Sequence, residues 1–169
     1  MMGCDTTSRL YGLGKGALLK KFKTNKHLQQ SAEVFHTKMS CKGDIQKAGE
    51  QAMALLYGGK KDDTLDYLRH KKFCEKAVTN VARIEPQSLP PTSSAAKYHS
   101  FHVFYQICIW EGNDSEMLPE DWGWVVNDNG IFPILTDQPP APENLLNVVR
   151  CSCQTDCSSQ RCSCQKHNL

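Results

Sequence analysis

The most constraining feature of this sequence is a cluster of five cysteines near its C-terminal end. The thiols fall within fourteen residues, at Cys151, Cys153, Cys157, Cys162 and Cys164. The residues between them are Ser, Gln, Thr, Asp and Arg, so the segment has no apolar side chains with which to build a core. Zinc prefers soft ligands in a tetrahedral array, and its binding would supply the missing folding energy. The five cysteines are therefore predicted to bind Zn2+, with His167 as a spare ligand.

The cellular compartment of the protein decides whether these cysteines bind metal, form disulfides or remain free thiols. The chain starts Met-Met-Gly-Cys-Asp, without the basic start and apolar stretch of a signal peptide. No apolar run approaches the roughly 20 residues of a membrane helix. We therefore expect an intracellular protein, with the nucleus as one location, and no membrane partner. Nine cysteines in such a compartment favour metal ligands or free thiols over disulfides. A flexible tail of reduced cysteines remains the alternative to a zinc site.

The tail, residues 150–169, resembles the tesmin-like CXC family of cysteine-rich zinc domains. The two C-x-C pairs and the cysteine between them carry this resemblance. It implies zinc binding and, as is common in that family, contact with DNA. A full CXC module has more ligands than this tail, and Arg161 stands where a Tyr is common. The resemblance therefore implies a truncated module with partial zinc binding.

Charge is unevenly distributed along the chain although the net charge is only +2. Residues 1–83 carry 16 Lys and Arg against 8 Asp and Glu, whereas residues 84–149 carry Lys97 alone against 9 acids. A basic first half suggests an anionic partner, most simply nucleic acid. The alternative is that two solvated faces of opposite sign pack together.

A glycine-rich turn near the N-terminus is the second informative stretch. Its sequence is Gly12-Leu13-Gly14-Lys15, and backbone N–H groups in such a turn can bind a phosphate at a helix N-terminus. Lysines follow that would favour a polyanion. The predicted nucleic-acid-binding residues, with DNA as the favoured partner, are Gly12, Gly14, Lys15, Lys20, Lys21 and Lys23. An ordinary glycine turn is the alternative.

The stretch from Gly3 to Lys23 resembles the helix–hairpin–helix end of flap-endonuclease and PIN-like nucleases. There a Gly-x-Asp supplies the last carboxylate of a divalent-metal site, and the hairpin begins seven residues later. Asp5 and Gly12 stand at those positions in this chain. The resemblance implies a helix–hairpin–helix at residues 3–23 and Mg2+ at Asp5 in a longer form. Two-metal chemistry needs several carboxylates, so no cleavage is expected with Asp5 alone.

The whole chain also resembles a group of large invertebrate proteins for which derivation from mobile elements is one hypothesis. Four segments occur in the same order there: Gly3 to Ser8, Leu89 to Ala96, Trp122 to Trp124, and the cysteine-rich tail. This resemblance implies a fragment of a longer protein and adds no established activity.

Hydrophobic periodicity predicts a mainly α fold. We expect a basic helical region at residues 1–85, a Pro/Ser-rich linker or ordered loop at 86–97, and a buried helix with an acidic, turn-rich segment at 98–149. The tail at 150–169 completes the chain. The fold class is thus a helix–hairpin–helix followed by a small helical domain, an irregular segment with one hairpin, and the metal-binding tail.

Individual helices are predicted from apolar spacing and capping residues. One covers residues 27–39, and a second is capped by Asp44. A third is capped by Asp62 or Asp63 and runs to about residue 83, with an inward face of Leu65, Leu68, Phe73, Ala77 and Val81. Ser94 is expected to cap a buried helix at 95–110. A hairpin is expected at 124–134, and the expected anchors of its region are Trp122, Trp124, Val125, Ile131, Phe132 and Ile134.

Three weaker features are interpreted as structural. His99 and His102 stand three residues apart on one helix, and packing is favoured over metal binding because no third ligand is near. Trp122 and Trp124 are expected in the core or a turn rather than stacked on bases. The scattered thiols are interpreted as buried or half-buried residues: Cys4, Cys41, Cys74 and Cys108.

The leading hypothesis is a zinc-binding fragment that binds nucleic acid without sequence preference and without catalysis of its own. One alternative is the C-terminal part of a divalent-metal-dependent nuclease, completed by carboxylates from elsewhere. The other is a protein-interaction module that uses the acidic middle of the chain.

Overall fold

The fold is mainly α-helical, as predicted, in the computed structural model, which describes residues 10–37, 40–79 and 84–139. The helices of these ranges are α1 (Lys15–Thr24), α2 (Lys26–Val34), α3 (Lys42–Leu56), α4 (Leu65–Val78) and α5 (Ser93–Trp110). Two short 3-10 turns cover Pro86–Ser88 and Pro119–Trp122. The strands are β1 (Trp124–Asn127) and β2 (Gly130–Pro133). None of the helices in the described ranges has both the length and the apolar character to cross a membrane.

The chain divides into two units, Met1–Thr136 and Asp137–Leu169. All the elements above belong to the first unit, so the predicted regions 1–85 and 98–149 contribute helices to the same body. Most of the second unit, including the cysteine tail, lies outside the described residues. The first helix of the predicted helix–hairpin–helix also lies outside them.

Side-chain caps fix the starts of several helices, although not always at the predicted residue. Asn25 Oδ1 accepts the N–H groups of His27 and Leu28 at the start of α2. The predicted caps Asp62 or Asp63 and Ser94 are wrong, because Thr64 caps α4 and Thr92 caps α5. A threonine hydroxyl three residues before a free N–H reaches it directly. Asp44 is not the N-cap that we predicted, because Cys41 holds that position; Asp44 lies in the first turn of α3, where its carboxylate accepts the N–H of Cys41.

The centre of the first unit is the contact between α3 and α5. Gly49 of α3 lies against Ser100 of α5, which is fully buried. A Cβ at position 49 would stand 1.8 Å from the hydroxyl oxygen of Ser100, so only glycine permits this approach. That hydroxyl donates to the carbonyl of Ala96 at 2.7 Å, which satisfies it inside the core.

Buried apolar side chains form two clusters. The first draws on α1, α2, α3 and α4, with Leu18, Leu28, Met53 and Leu65 among its members. The second joins the end of α2 to α3 and α5, with Phe35, Ile45, Phe101 and Phe104 among its members. Together the clusters hold α1 and α2 against the α3–α5 pair.

The predicted inward face of α4 is only partly correct. Leu65 and Leu68 are buried, whereas Phe73 is 47% exposed and Ala77 is exposed. The helix is buried only in its first turn, beside the end of α3, where a Cβ on Gly59 would lie 3.1 Å from Leu68. Among the described residues no helix covers the second half of α4, so its apolar residues stay in solvent. Val81 lies outside the described residues.

The Pro/Ser-rich stretch is an ordered loop rather than a linker. Leu89 and Pro90 are buried, and the guanidinium of Arg69 donates to the carbonyl of Pro90. Glu50 Oε1 accepts one hydrogen bond from the Ser93 hydroxyl, at 2.7 Å, and another from the Leu65 N–H, at 3.2 Å. These contacts fix the start of α5, which begins at Ser93, against α3 and α4.

The predicted hairpin is confirmed, and its register pairs Trp124 with Pro133 and Asn127 with Gly130. Asn127 Oδ1 accepts the Asn129 N–H at 2.9 Å and so stabilises the turn. The predicted anchors Val125, Ile131 and Phe132 are wrong, because all three are at least 46% exposed. The hairpin is held instead at its base, where Trp124 and Ile134 are half-buried.

Candidate nucleic-acid interface

The predicted glycine turn leads directly into α1. Gly12 has a φ of 73°, a left-handed conformation that favours glycine, whereas Gly14 is extended and precedes the helix as its N-cap. No side chain caps α1 at this end, and a Cβ at Gly12, Gly14 or Gly16 would meet no atom within 4 Å. The first N–H groups of a helix have no intrahelical partner, so the open end of α1 can approach an anion closely.

The lysines of α1 form a basic surface that no acid of this helix balances. Lys15, Lys20 and Lys23 are exposed, and α1 contains neither Asp nor Glu. Within the described ranges no carboxylate oxygen lies within 4.0 Å of these three amines. Lys15 also stands in the first helical turn, where the helix dipole disfavours a cation. Internal stability therefore does not account for a lysine at position 15.

Lys21 differs from the other predicted lysines in its environment. Its side chain is half-buried, and its amine donates to the carbonyl of Leu56 at the end of α3. A cation at the C-terminus of a helix satisfies a free carbonyl and complements the helix dipole. This contact spans 35 residues of sequence, and it gives Lys21 a structural role in joining α1 to α3.

Sequence reasoning missed Lys26, which extends the basic surface. It is the first residue of α2, is exposed, and follows α1 after the single residue Asn25. The signal was available, because Lys26 continues the lysine run at positions 20, 21 and 23. We call Lys15, Lys20, Lys23 and Lys26 the α1–α2 basic surface.

The buried histidines are packing residues in this structure. His102 Nε2 donates to the carbonyl of Gly123 at 2.7 Å, and its ring lies 4.6 Å from that of Trp124. His99 is 9% exposed, and its burial is the main reason that its pKa falls to about 4, with a smaller contribution from the neighbouring His102. Burial also lowers the pKa of His102. Both rings are therefore neutral at physiological pH.

The Trp-Gly-Trp segment at residues 122–124 packs against α5. Trp122 packs on Phe104 at 4.7 Å and edge-on against Phe101 at 5.9 Å between ring centroids. Gly123 has a φ of 85°, and a Cβ there would stand 2.9 Å from the ring of Tyr98. These contacts assign the tryptophans to packing and leave the basic surface on the other elements as the candidate interface.

The scattered cysteines are less buried than predicted. Cys108 is buried, but Cys41 and Cys74 are exposed. Cys41 is the N-cap of α3, and the Cys74 sulfur lies 3.7 Å from His70 Nε2 one helical turn away. A helix N-cap and an outward-facing helix surface both leave a side chain in solvent, which explains the difference.

The predicted metal ligands lie outside the described residues. These are Asp5 and the cysteines Cys151, Cys153, Cys157, Cys162 and Cys164, and Cys4 and His167 lie outside them too. In residues 10–37, 40–79 and 84–139, no group of three or more His, Cys, Asp or Glu side chains is placed to hold a metal ion.

Comparison of the chain with models of protein families, with curated proteins and with solved structures found no match. The interpretation of the α1–α2 basic surface therefore depends on its own geometry and charge.

Proposed function

We propose that this chain binds nucleic acid without sequence preference through the α1–α2 basic surface. The observation that carries the proposal is the set of three exposed lysines on α1, a helix without acids, whose amines have no carboxylate within 4.0 Å in the described part of the chain. The uncapped start of α1, at Gly14, adds backbone donors beside Lys15. Phosphate is the anion that both kinds of donor recognise.

The dimensions of the surface fit a nucleic-acid backbone. Eight residues separate Lys15 from Lys23, which corresponds to about 12 Å along a helix. One strand of duplex carries a phosphate about every 3.4 Å of axis, so roughly three phosphates lie within that length. Lysine amines are point charges on flexible stems, and contacts of this kind position a protein without reading bases.

Salt dependence gives the sharpest test of this proposal. The full chain is titrated against labelled duplex and single-stranded DNA and RNA between about 50 and about 200 mM salt. Each phosphate contact contributes about −0.9 to the slope of log K against log salt on duplex DNA. Replacing Lys15, Lys20 and Lys23 by Ala should therefore make the slope shallower by about 2 to 3.

A second triple variant, which removes the same number of positive charges from other surfaces, serves as the control. Lys47, Lys61 and Lys71 are exposed lysines on α3, the α3–α4 turn and α4. Their replacement by Ala should leave most of the slope intact. If the two triple variants lose the same part of the salt slope, net charge alone explains the binding. If the chain does not bind at the lowest salt concentration, the proposal is wrong.

The same proposal assigns zinc to the cysteine tail. Four thiolates complete one tetrahedral site, and the tail offers five, with His167 as a spare. The support is the ligand chemistry and spacing, because these residues lie outside the described ranges. The residues that would hold the ion are those of the two C-x-C pairs together with Cys157.

Elemental analysis tests the zinc assignment directly. Protein purified with zinc present should hold about one ion per chain, and replacing Cys153 and Cys162 by Ser should remove it. Because binding needs deprotonated thiols, the metal should be released as the pH falls. The matched control replaces Cys41 and Cys74, which are exposed elsewhere in the chain, by Ser. Equal zinc in all three proteins would contradict the assignment.

A further inference from the structure

An apolar groove of about 300 Å3 lies where α1, α2, α3 and α5 meet. Its lining is almost entirely aliphatic and aromatic, and includes Leu18, Leu19, Phe22, Phe35, Val103 and Ile107. Leu19 and Phe22 remain 44% and 41% exposed on the α1 side. Exposed apolar side chains that share one groove are typical of an interaction surface.

The α1 side of this groove is positively charged. Lys15 and Lys23 stand four residues before and after Leu19, which places each about 40° from Leu19 around the helix. Both are exposed, and within the described ranges neither lies within 4.0 Å of a carboxylate. Lys20 is about 100° from Leu19 and points away from the groove.

The α5 side of the groove carries one carboxylate, that of Glu111. Val103 and Ile107 line the groove, and the next turn of the same face carries Trp110, which is 68% exposed, and Glu111. Glu111 Oε1 lies 2.8 Å from Nδ1 of His36, itself a groove residue, which locates this carboxylate at the groove edge. The C-terminus of α5 adds partial negative charge at the same place.

We propose that the groove is the contact surface for a second copy of this chain. A patch with an apolar centre, cations on one side and an acid on the other is complementary to itself after a two-fold rotation. In such a contact Lys23 of each copy faces Glu111 of the other, and Leu19, Phe22 and Trp110 pack across the axis. Isologous interfaces of two-fold dimers have this reciprocal form.

Charge favours this occupant over the other candidates. An uncharged ligand would pair with neither Lys23 nor Glu111, and a partner of one sign could pair with only one of them. The second copy supplies both signs in the required order. The proposed dimer shares Lys15 and Lys23 with the proposed nucleic-acid surface. Lys20 and Lys26 belong to the nucleic-acid surface alone.

Sedimentation of the purified full chain tests the proposal, with nucleic acid removed beforehand because Lys15 and Lys23 belong to both surfaces. We expect a monomer–dimer equilibrium between low micromolar and several hundred micromolar protein, stronger at low salt. Leu19→Glu should weaken the dimer at least about tenfold, because it places a carboxylate in the apolar centre of the contact and competes with Glu111 of the other copy for Lys23. Val78→Glu places the same charge on an 83% exposed position of α4 and should leave the dimer unchanged.

A charge exchange gives the decisive result. Lys23→Glu and Glu111→Lys each place like charges opposite one another twice in the dimer, so each variant alone should be monomeric. A mixture of the two variants restores opposite charges at both contacts and should form a mixed dimer. Both changes affect exposed side chains, so this test remains available if Leu19→Glu does not fold.

Three outcomes would overturn the proposal. They are a monomer over the whole concentration range, equal weakening by Leu19→Glu and Val78→Glu, and a mixture of charge variants no more associated than either variant alone. A variant with Lys20→Ala and Lys26→Ala affects only the proposed nucleic-acid surface, so it should lose DNA affinity and keep the dimer. Unchanged DNA affinity in this variant would count against the proposed function, and loss of its dimer would count against the groove as the contact surface.

Discussion

At the scale of single residues, the contact between α3 and α5 depends on one missing methyl group. A Cβ atom does not fit at position 49, since it would lie 1.8 Å from Ser100 Oγ and 2.6 Å from Ser100 Cβ. A glycine inside a helix costs roughly 0.5–1 kcal/mol relative to alanine, so its presence in α3 has a packing reason. The sequence carries this signal as an isolated glycine in a helical pattern, but it does not identify Ser100 as the neighbour.

Gly49→Ala should lower the free energy of unfolding by about 1–3 kcal/mol, because the new methyl group overpacks the α3–α5 contact. Urea denaturation followed by circular dichroism measures the change. Gly16→Ala is the matched control, since Gly16 lies in α1 with no atom within 4 Å of its ideal Cβ. The control should be neutral or slightly stabilising. A double variant that also carries Ser100→Gly should recover part of the loss, and no recovery would refute the steric explanation.

Residue roles were predictable only where neighbours in sequence decide them. Lys15, Lys20 and Lys23 are exposed on a short helix whose basic character is visible in the sequence. The contact of Lys21 with Leu56 joins residues 35 positions apart, and nothing in the local sequence encodes it. The same limit applies to Gly49 and Ser100, which meet only because two helices pack side by side.

At the scale of elements, Glu50 connects three helices through one carboxylate. It lies on α3 and accepts hydrogen bonds from Leu65 at the start of α4 and from Ser93 at the start of α5. Both donors stand at helix N-termini, where free N–H groups and the helix dipole favour an acid. The carboxylate therefore fixes where α4 and α5 begin relative to α3.

Glu50→Ala should lower the free energy of unfolding by about 1–3 kcal/mol, because two partly buried donors lose their acceptor. Glu50→Gln keeps a carbonyl oxygen in the same place and should cost less. Thermal or urea unfolding of the two variants gives the comparison. If Gln proves as damaging as Ala, the charge rather than the hydrogen bonds would be the stabilising feature.

Elements with strong periodicity were predictable, and elements defined by their surroundings were not. The buried helix after residue 94 and the hairpin at 124–134 follow from a continuous apolar run and from a turn-rich Asn-Asp-Asn-Gly sequence. The inward face of α4 was overestimated, because the spacing of Phe73 and Ala77 looks amphipathic although no described helix covers them. Three of the predicted anchors, Val125, Ile131 and Phe132, were also wrong, because alternation identifies a strand but not which of its sides meets the core.

At the scale of the whole molecule, two buried histidines make stability depend on pH. His99 and His102 lie on α5 between the hairpin base and the helical core, and burial lowers the pKa of both. The folded chain therefore holds them neutral, whereas the unfolded chain binds protons below the ordinary histidine pKa of 6.5. Since the unfolded state binds more protons in this range, stability rises with pH and falls on acidification.

The loss should begin near pH 6.5 and continue to about pH 4, the lowered pKa of His99. A shift of this size corresponds to about 3 kcal/mol for His99 once the pH lies below both values. Urea midpoints between pH 7.5 and pH 4 measure it, with His99→Gln expected to flatten the profile between pH 6.5 and pH 5, above the range where most carboxylates titrate. His70→Gln is the control, because His70 is exposed on α4 and should leave the profile unchanged. A wild-type profile that is flat from pH 6.5 to pH 5, or equally steep in His99→Gln, would show that the neutral buried ring is not the source of the acid sensitivity.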